Sequence, residues 1–331
     1  MKIVSYKTEG LEHLGVFFEG HIYNLNSLNP IIPNNMAAFL SGGEPLVEAV
    51  HRAFEGLKNN SSQIKEEIFY ELIAPVPHPT SLRDAYAFRQ HVATARRNRG
   101  AEMLPEFDQF PVFYFGNHHA INGPGEILCM PDHFQKLDFE LEIAIVINKK
   151  GRNIKAAEAD DYIAGYMIMN DFSARTLQLE EMKLNLGPAK GKDFATSIGP
   201  WLVTKDELEA FKIKTKTGHT GNCYQLDMQC WVNDEMVSRG NFETMDWTFA
   251  EIIERISYGC DILPGDVIGS GTVGTGCFLE LNGTAKLENP TAKEQWLQPN
   301  DKVELRIQGL GVLSNIITAQ TTDFSILALK K

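Results

Sequence analysis

The stretch Leu137-Asp138-Phe139-Glu140-Leu141-Glu142-Ile143-Ala144-Ile145-Val146-Ile147 constrains this chain more than any other part of it. Phe139, Leu141, Ile143 and Ile145 alternate with Asp138, Glu140 and Glu142, a period of two that an extended strand converts into two faces. Same-face neighbours on a strand stand only ~7 Å apart. Three carboxylates so placed repel one another unless water screens them or a cation lies between them. By itself the pattern fits a solvated face better than a cation site, because polar alternation is common on half-exposed strands. Another acid, Asp171, ends the apolar run Met167-Ile168-Met169-Asn170, where a strand would deliver it to a sheet edge or to a site. Clustered carboxylate oxygens suit Mg²⁺ or Ca²⁺ rather than zinc.

The rest of the chain punctuates into short elements. Val4-Ser5-Tyr6, Gly15-Val16-Phe17-Phe18 and His21-Ile22-Tyr23 read as a small antiparallel sheet. Leu46, Val50, Phe54 and Leu57 recur at helical spacing, and the polar run Lys58 to Ser62 stops that helix. Ala74-Pro75-Val76-Pro77-His78-Pro79 is a stiff connector. It divides the chain into a small N-terminal domain, 1–75, and a larger one, 76–331. Beyond it, Ser81 can cap a helix running to Arg99 with Gly100 at its end. Asp138 to Ile147 and Asp266 to Ile268 read as strands, and Thr248 to Tyr258 as the one further long helix. Short strands with few helices predict an α+β, β-rich barrel or sandwich rather than a doubly wound sheet. Gly269-Ser270-Gly271-Thr272-Val273-Gly274 matches a dinucleotide fingerprint only loosely, with no helix pattern after it.

Charge narrows the partners. In 331 residues, 31 Lys and Arg against 43 Asp and Glu leave a formal −12, which disfavours nucleic acid. No apolar run approaches a membrane span, so a soluble, cytoplasmic protein is expected. The five cysteines are odd in number and lack CxxC spacing, as buried reduced thiols would. Arg83, Arg89, Arg96, Arg97 and Arg99 fall in one short stretch, either a solvated helix face or a funnel for a carboxylate substrate. If that stretch is helical throughout, Asp84 and His91 share a face about 10 Å apart along the axis.

Several motifs then follow one another in order: Asp84-Ala85-Tyr86-Ala87-Phe88-Arg89-Gln90-His91, Glu140-Leu141-Glu142, Asn170-Asp171-Phe172-Ser173-Ala174-Arg175 with Gln178, Gly191-Lys192-Asp193-Phe194 running into Ile198-Gly199-Pro200-Trp201, Phe249-Ala250-Glu251-Ile252-Ile253, and Leu263-Pro264-Gly265-Asp266-Val267-Ile268 before Gly271-Thr272. In this order they make residues 76–320 resemble the fumarylacetoacetate hydrolase family, and within it the fumarylacetoacetases. The resemblance implies a mixed β-sandwich roll behind a small N-terminal β-rich domain. It implies that Asp84, Glu140, Glu142 and Asp171 bind Mg²⁺ or Ca²⁺, or else Mn²⁺. Lys192 and Thr196 match positions beside a second ion, although an ammonium suits charge stabilisation better than cation binding.

His91 matches the histidine that activates water, and Glu280 the glutamate that orients it. Arg175, Lys192 and Gln178 are implied to stabilise the oxyanion and the substrate carboxylates. Tyr86, Tyr114, Gln178 and Thr272 match substrate contacts, Arg99 stands one residue out of register, and Met182 replaces an expected tyrosine. The implied reaction is hydrolysis of a carbon-carbon bond in a β-diketone acid, with fumarylacetoacetate giving fumarate and acetoacetate in tyrosine catabolism, carried out by a homodimer. Acylpyruvate or fumarylpyruvate hydrolysis and oxaloacetate decarboxylation share the same enolate chemistry.

Overall fold

A computed structural model describes residues 1–61 and 64–329. Ser62, in the polar stop after the first helix, and the last two lysines of the 76–331 span lie outside the described residues. The alternating segment becomes the strand Leu141–Ile147, near the middle of an eleven-stranded sheet. Its neighbours are Ile163–Asp171 on one side and Asp266–Gly269 on the other, both antiparallel. Ser81–Ala85 adds parallel to Asp266–Gly269, and Phe113–Gly116 follows. In the other direction come Thr196–Thr204 and then the N-terminal strands Lys2–Thr8, Leu11–Phe18 and His21–Asn24. The N-terminal hairpin thus joins the same sheet, through Lys2 opposite Val203 and Ile3 opposite Leu202.

Alternation along Leu141–Ile147 feeds two cores. Ile143 and Ile145 pack with Met228, Cys230, Leu305 and Leu313 of a second, five-stranded sheet. Ala144 and Val146 face the other way, against Leu14, Val16, Val50 and Phe54 of the N-terminal region. Val50 and Phe54 belong to the helix Glu44–Asn60, whose apolar spacing was legible in the sequence. Covered on both faces, the strand carries its carboxylates into the interior: Glu142 is fully buried and Glu140 nearly so. The solvated-face reading is excluded. The result is an α+β, strand-rich fold with two packed sheets and flanking helices.

The helix predicted from Thr248 forms as Phe249–Ser257, with a capping box in which Thr248 Oγ1 accepts from the Glu251 amide and Glu251 accepts from the Thr248 amide. Two expectations need correction. Ser81 to Arg99 is not one helix: Ser81–Ala85 is a strand, and the helix begins at Arg89 and ends at Arg97. Pairing on both edges of Ser81–Ala85 overrides the local cap signal, so Asp84 and His91 do not share a helix face. Nor is Asp138 continuous with the main strand. Leu137–Asp138 pairs with Ser173–Ala174, and the ladder breaks at Phe139–Glu140, where the Glu140 amide donates to Asn170 Oδ1 instead.

The five cysteines are free thiols, with Cys129, Cys230 and Cys277 buried, Cys223 partly so and Cys260 exposed. Among the described residues no helix is long and apolar enough to cross a membrane.

Candidate active site

One cavity of about 540 Å³ opens at the end of the central strands. Asp84, Tyr86, His91, Arg99, Tyr114, Glu140, Arg175, Gln178, Lys192, Thr272 and Glu280 all line it, as does Met182. Of the residues singled out from sequence, Glu142, Asp171 and Thr196 stand behind its wall. The arginine stretch is mostly structural: Arg83 is buried against Asp266 and Arg89 pairs with Asp108. Only Arg99 of the five reaches the cavity.

The inner wall is a buried row of charge. Carboxylate oxygens of Asp84, Glu140 and Glu142 lie within 4.8 Å of one another. Asp84 Oδ1 accepts the Gly271 amide at 3.0 Å. Gly271 sits at φ +77, and a Cβ there would fall 2.5 Å from the Ala85 carbonyl oxygen, so glycine is required for both the conformation and the approach. The Gly269–Gly274 run therefore shapes this wall and is not a phosphate loop. Glu142 Oε1 accepts from Thr272 Oγ1 at 3.2 Å, while its Oε2 is buried with no hydrogen-bond partner.

Beside this trio, Lys192 bridges Glu140 and Asp171, at 2.8 Å from Asp171 Oδ2. Asp171 also accepts from Tyr114 and, at 3.0 Å, from Thr196 Oγ1. Protein donors thus engage Asp171 and Glu140 alike; the acids within 4.8 Å of one another are Asp84, Glu140 and Glu142, with Asp171 tied to them through Lys192.

Electrostatics separates these acids. Burial, then the Asp171 charge, pushes Asp84 up to about 7. Burial with Asp84 and Glu140 beside it pushes Glu142 well above the usual carboxylate range. Burial acts on Glu140 too, but the Lys192 and Arg175 cations outweigh it and hold that carboxyl at about 2. The unpartnered, buried Oε2 of Glu142, with oxygens of Asp84 and Glu140 within 4.8 Å, fits a cation held between these acids. The all-oxygen donor set fits a hard divalent cation such as Mg²⁺ or Ca²⁺.

The outer wall carries a dyad. His91 lies in the first turn of Arg89–Arg97, Glu280 in the first turn of Phe278–Glu288, and Nδ1 meets Glu280 Oε2 at 2.6 Å with both side chains buried. Asn98 Nδ2 donates to the Glu280 carbonyl at 3.0 Å. Gly283 lets the two helices close up, since a Cβ there would meet the Asn98 side chain at 2.5 Å. The Tyr86 ring stands edge-on to His91, with centroids 5.7 Å apart. Cys277 also lies within 4.8 Å of the dyad atoms, but burial, then the Asp138 carboxylate, drives its thiol far above the range where it ionises, so it is an inert neighbour.

Arg175 joins the two walls. Its Nε donates to Asp138 at 2.8 Å, one terminal nitrogen to Glu140 at 2.8 Å and the other to Gln178 Oε1 at 3.0 Å. Sequence reasoning placed Asp138 in the carboxylate row but not as the partner of Arg175, and did not identify Asn98 or the outer lining of Lys136, Lys286, Glu294 and Trp296. Asp138 alone left a trace, in the alternation of the strand segment.

The fumarylacetoacetate (FAA) hydrolase C-terminal family model matches residues 80–318. A mitochondrial oxaloacetate tautomerase of Homo sapiens is 28% identical over 324 residues, covering 95% of this chain and 91% of that protein. A fumarylacetoacetase of Oryza sativa subsp. japonica is 30% identical over 245 residues, covering 61% of this chain and 56% of that protein. Among solved structures, a fumarylacetoacetate hydrolase from psychrophilic Exiguobacterium antarcticum superposes with a TM-score of 0.70 at 22% identity, over 97% of this chain and 100% of that one. A maleylpyruvate hydrolase from Sphingobium gives 0.67 at 19% identity over the same shares. The cavity lining and the ordered motifs fall inside the matched span, with the N-terminal strands outside it, and the chain belongs to the fumarylacetoacetate hydrolase family.

Proposed function

We propose that this protein is a divalent-cation-dependent enzyme that cleaves the carbon-carbon bond of an acylpyruvate-type 2,4-diketo acid. The observation that carries the reading is the meeting of two groups at one cavity: a buried carboxylate trio with an unpartnered oxygen and a histidine already paired with a buried glutamate. Asp84, Glu140 and Glu142 are the residues that would hold the cation. When bound, it would supply positive charge that offsets the charge of the α-keto-acid enolate leaving group.

The remaining work falls to the chain's own side chains. Glu280 accepts the Nδ1 proton of His91, which fixes the tautomer whose Nε2 can take a proton from water and stabilises the imidazolium that results. Gln178 is held through its carbonyl oxygen by Arg175, so its amide N–H groups are left to donate to a developing oxyanion. Arg175 itself is committed to two carboxylates and acts by orienting them. The cavity exceeds what a four-carbon diacid fills, and Val112, Phe113, Leu179 and Met182 give it an apolar side suited to an acyl arm.

A second reading, tautomerisation or decarboxylation of oxaloacetate, is favoured by the likeness to the human oxaloacetate tautomerase over nearly the whole chain. Decarboxylation and acylpyruvate cleavage both release the enolate of pyruvate, whereas tautomerisation goes through the enolate of oxaloacetate itself. The experiment is product identification after incubating the protein, with Mg²⁺ or Mn²⁺ and after chelation, with 2,4-dioxopentanoate, fumarylpyruvate, fumarylacetoacetate and oxaloacetate. Metal-dependent release of pyruvate and the free acid from the acylpyruvates supports the proposal. Fumarate with acetoacetate would move the specificity to fumarylacetoacetate, and turnover of oxaloacetate alone would replace the proposal with the second reading.

A further inference from the structure

Asp138 is fully buried, and both its oxygens are saturated by protein donors. Oδ1 accepts the amides of Phe139 at 3.0 Å and Phe278 at 2.7 Å; Oδ2 accepts the Leu279 amide at 3.0 Å and Arg175 Nε at 2.8 Å. Phe278 and Leu279 open the helix that carries Glu280. The first amides of a helix have no partner within it, and Cys277, at the N-cap position, offers no side-chain acceptor. The missing cap is supplied from a strand 140 residues away in sequence.

The same carboxylate anchors Arg175, which holds Glu140 of the cation trio. From the helix inward the row reads Asp138, Arg175, Glu140, Lys192, Asp171, with charges alternating at every step.

We infer that Asp138 is a positioning residue that sets the orienting glutamate of the dyad in register with the cation-binding carboxylates. This rests on the reading of His91 and Glu280 as base and orienter. A carboxylate that merely stabilised the fold would need neither of its two partners to be part of the site. Here both oxygens accept amides of the Glu280 helix, Oδ1 from Phe278 and Oδ2 from Leu279, and Oδ2 also holds Arg175, so a shift of Asp138 moves both halves against each other.

The test compares Asp138→Asn, Glu280→Gln and the double variant, using 2,4-dioxopentanoate with Mn²⁺. Asp138→Asn is expected to lower kcat roughly 10- to 100-fold, as loss of an outer-shell partner does, with KM changed little. In the Glu280→Gln background the same change is expected to cost less than about threefold, because the register it maintains is no longer used. Losses that multiply would overturn the inference in favour of a purely structural role.

A second readout needs no turnover. The His91 Nδ1 proton, hydrogen bonded to Glu280, is expected as a far-downfield proton NMR signal that Asp138→Asn shifts or abolishes at temperatures where circular dichroism shows the variant fully folded, its thermal midpoint being lowered by the broken buried pair. An unchanged signal overturns the inference, and it does so even if no diketo acid is turned over and the reaction assignment fails. Should Asp138→Asn not fold, Asp138→Glu keeps the charge and displaces it by one methylene. Reduced kcat with a shifted signal is expected there, and wild-type values for both would overturn the inference.

Discussion

The cavity has two walls built on opposite terms. The cation wall sits on strands near the centre of a sheet, so its side chains are placed by ladder register, and it is electrostatically discontented: buried acids crowd together and one oxygen has no partner. The dyad wall sits on the first turns of two helices drawn from distant parts of the chain, and it is already satisfied, with His91 bonded to Glu280. Rigid backbone can hold groups that repel, whereas docked helix ends hold groups that attract. Damage to the first wall should appear in binding and damage to the second in turnover.

The sharpest way to break that division is His91→Ala. Turnover is expected to fall by ~10²- to 10⁴-fold, the usual worth of a general base, while Mn²⁺ affinity by titration calorimetry stays at the wild-type value. Normal turnover would remove His91 from the mechanism.

Glu142→Gln probes the opposite wall. It deletes the acid whose oxygen lacks a partner, so Mn²⁺ should bind roughly 10- to 100-fold more weakly. The metal-free protein at pH 8 should become more stable, since an acid that ionises only at high cost has been replaced by a neutral amide. A variant that loses stability in chelator-treated thermal melts would contradict the picture of a charge-deficient trio.

The gentlest perturbation is pH. Asp84 is raised to about 7 in the folded chain, against an ordinary carboxylate near 4. Between those values the unfolded chain binds fewer protons than the folded one, so stability of the metal-free protein should decline as pH rises from about 4 to 7. Protons compete with the cation for the same oxygens, so Mn²⁺ affinity should weaken by at least about tenfold for each unit below 7, and more steeply where Glu142 also holds a proton. Affinity flat across that range would show that Asp84 does not hold the ion.

How much of this was legible in the sequence depends on range. The period of two at Leu141–Ile147 and the helical spacing of Leu46 to Leu57 are local and were read correctly. Whether Glu140 and Glu142 met water was not readable, because the sheet's cover comes from residues far off in sequence. Ser81–Ala85 was misread as helix for the same reason, its strand state being set by partners at 113–116 and 266–269. The helix Phe278–Glu288 went unnoticed: Asn282, Gly283 and Thr284 are weak helix formers, and its start is capped from Asp138. His91 and Glu280 are 189 residues apart. Motif resemblance brought them together where periodicity and spacing offered nothing.

The apolar cluster of Leu14, Val16, Val50 and Phe54 with Ala144 and Val146 backs the central strand, while Asp84 and Glu140 line the cavity in front of it. A cation held by these acids would share one chamber with the organic acid, so the affinity measured for the ion should depend on whether that chamber is filled.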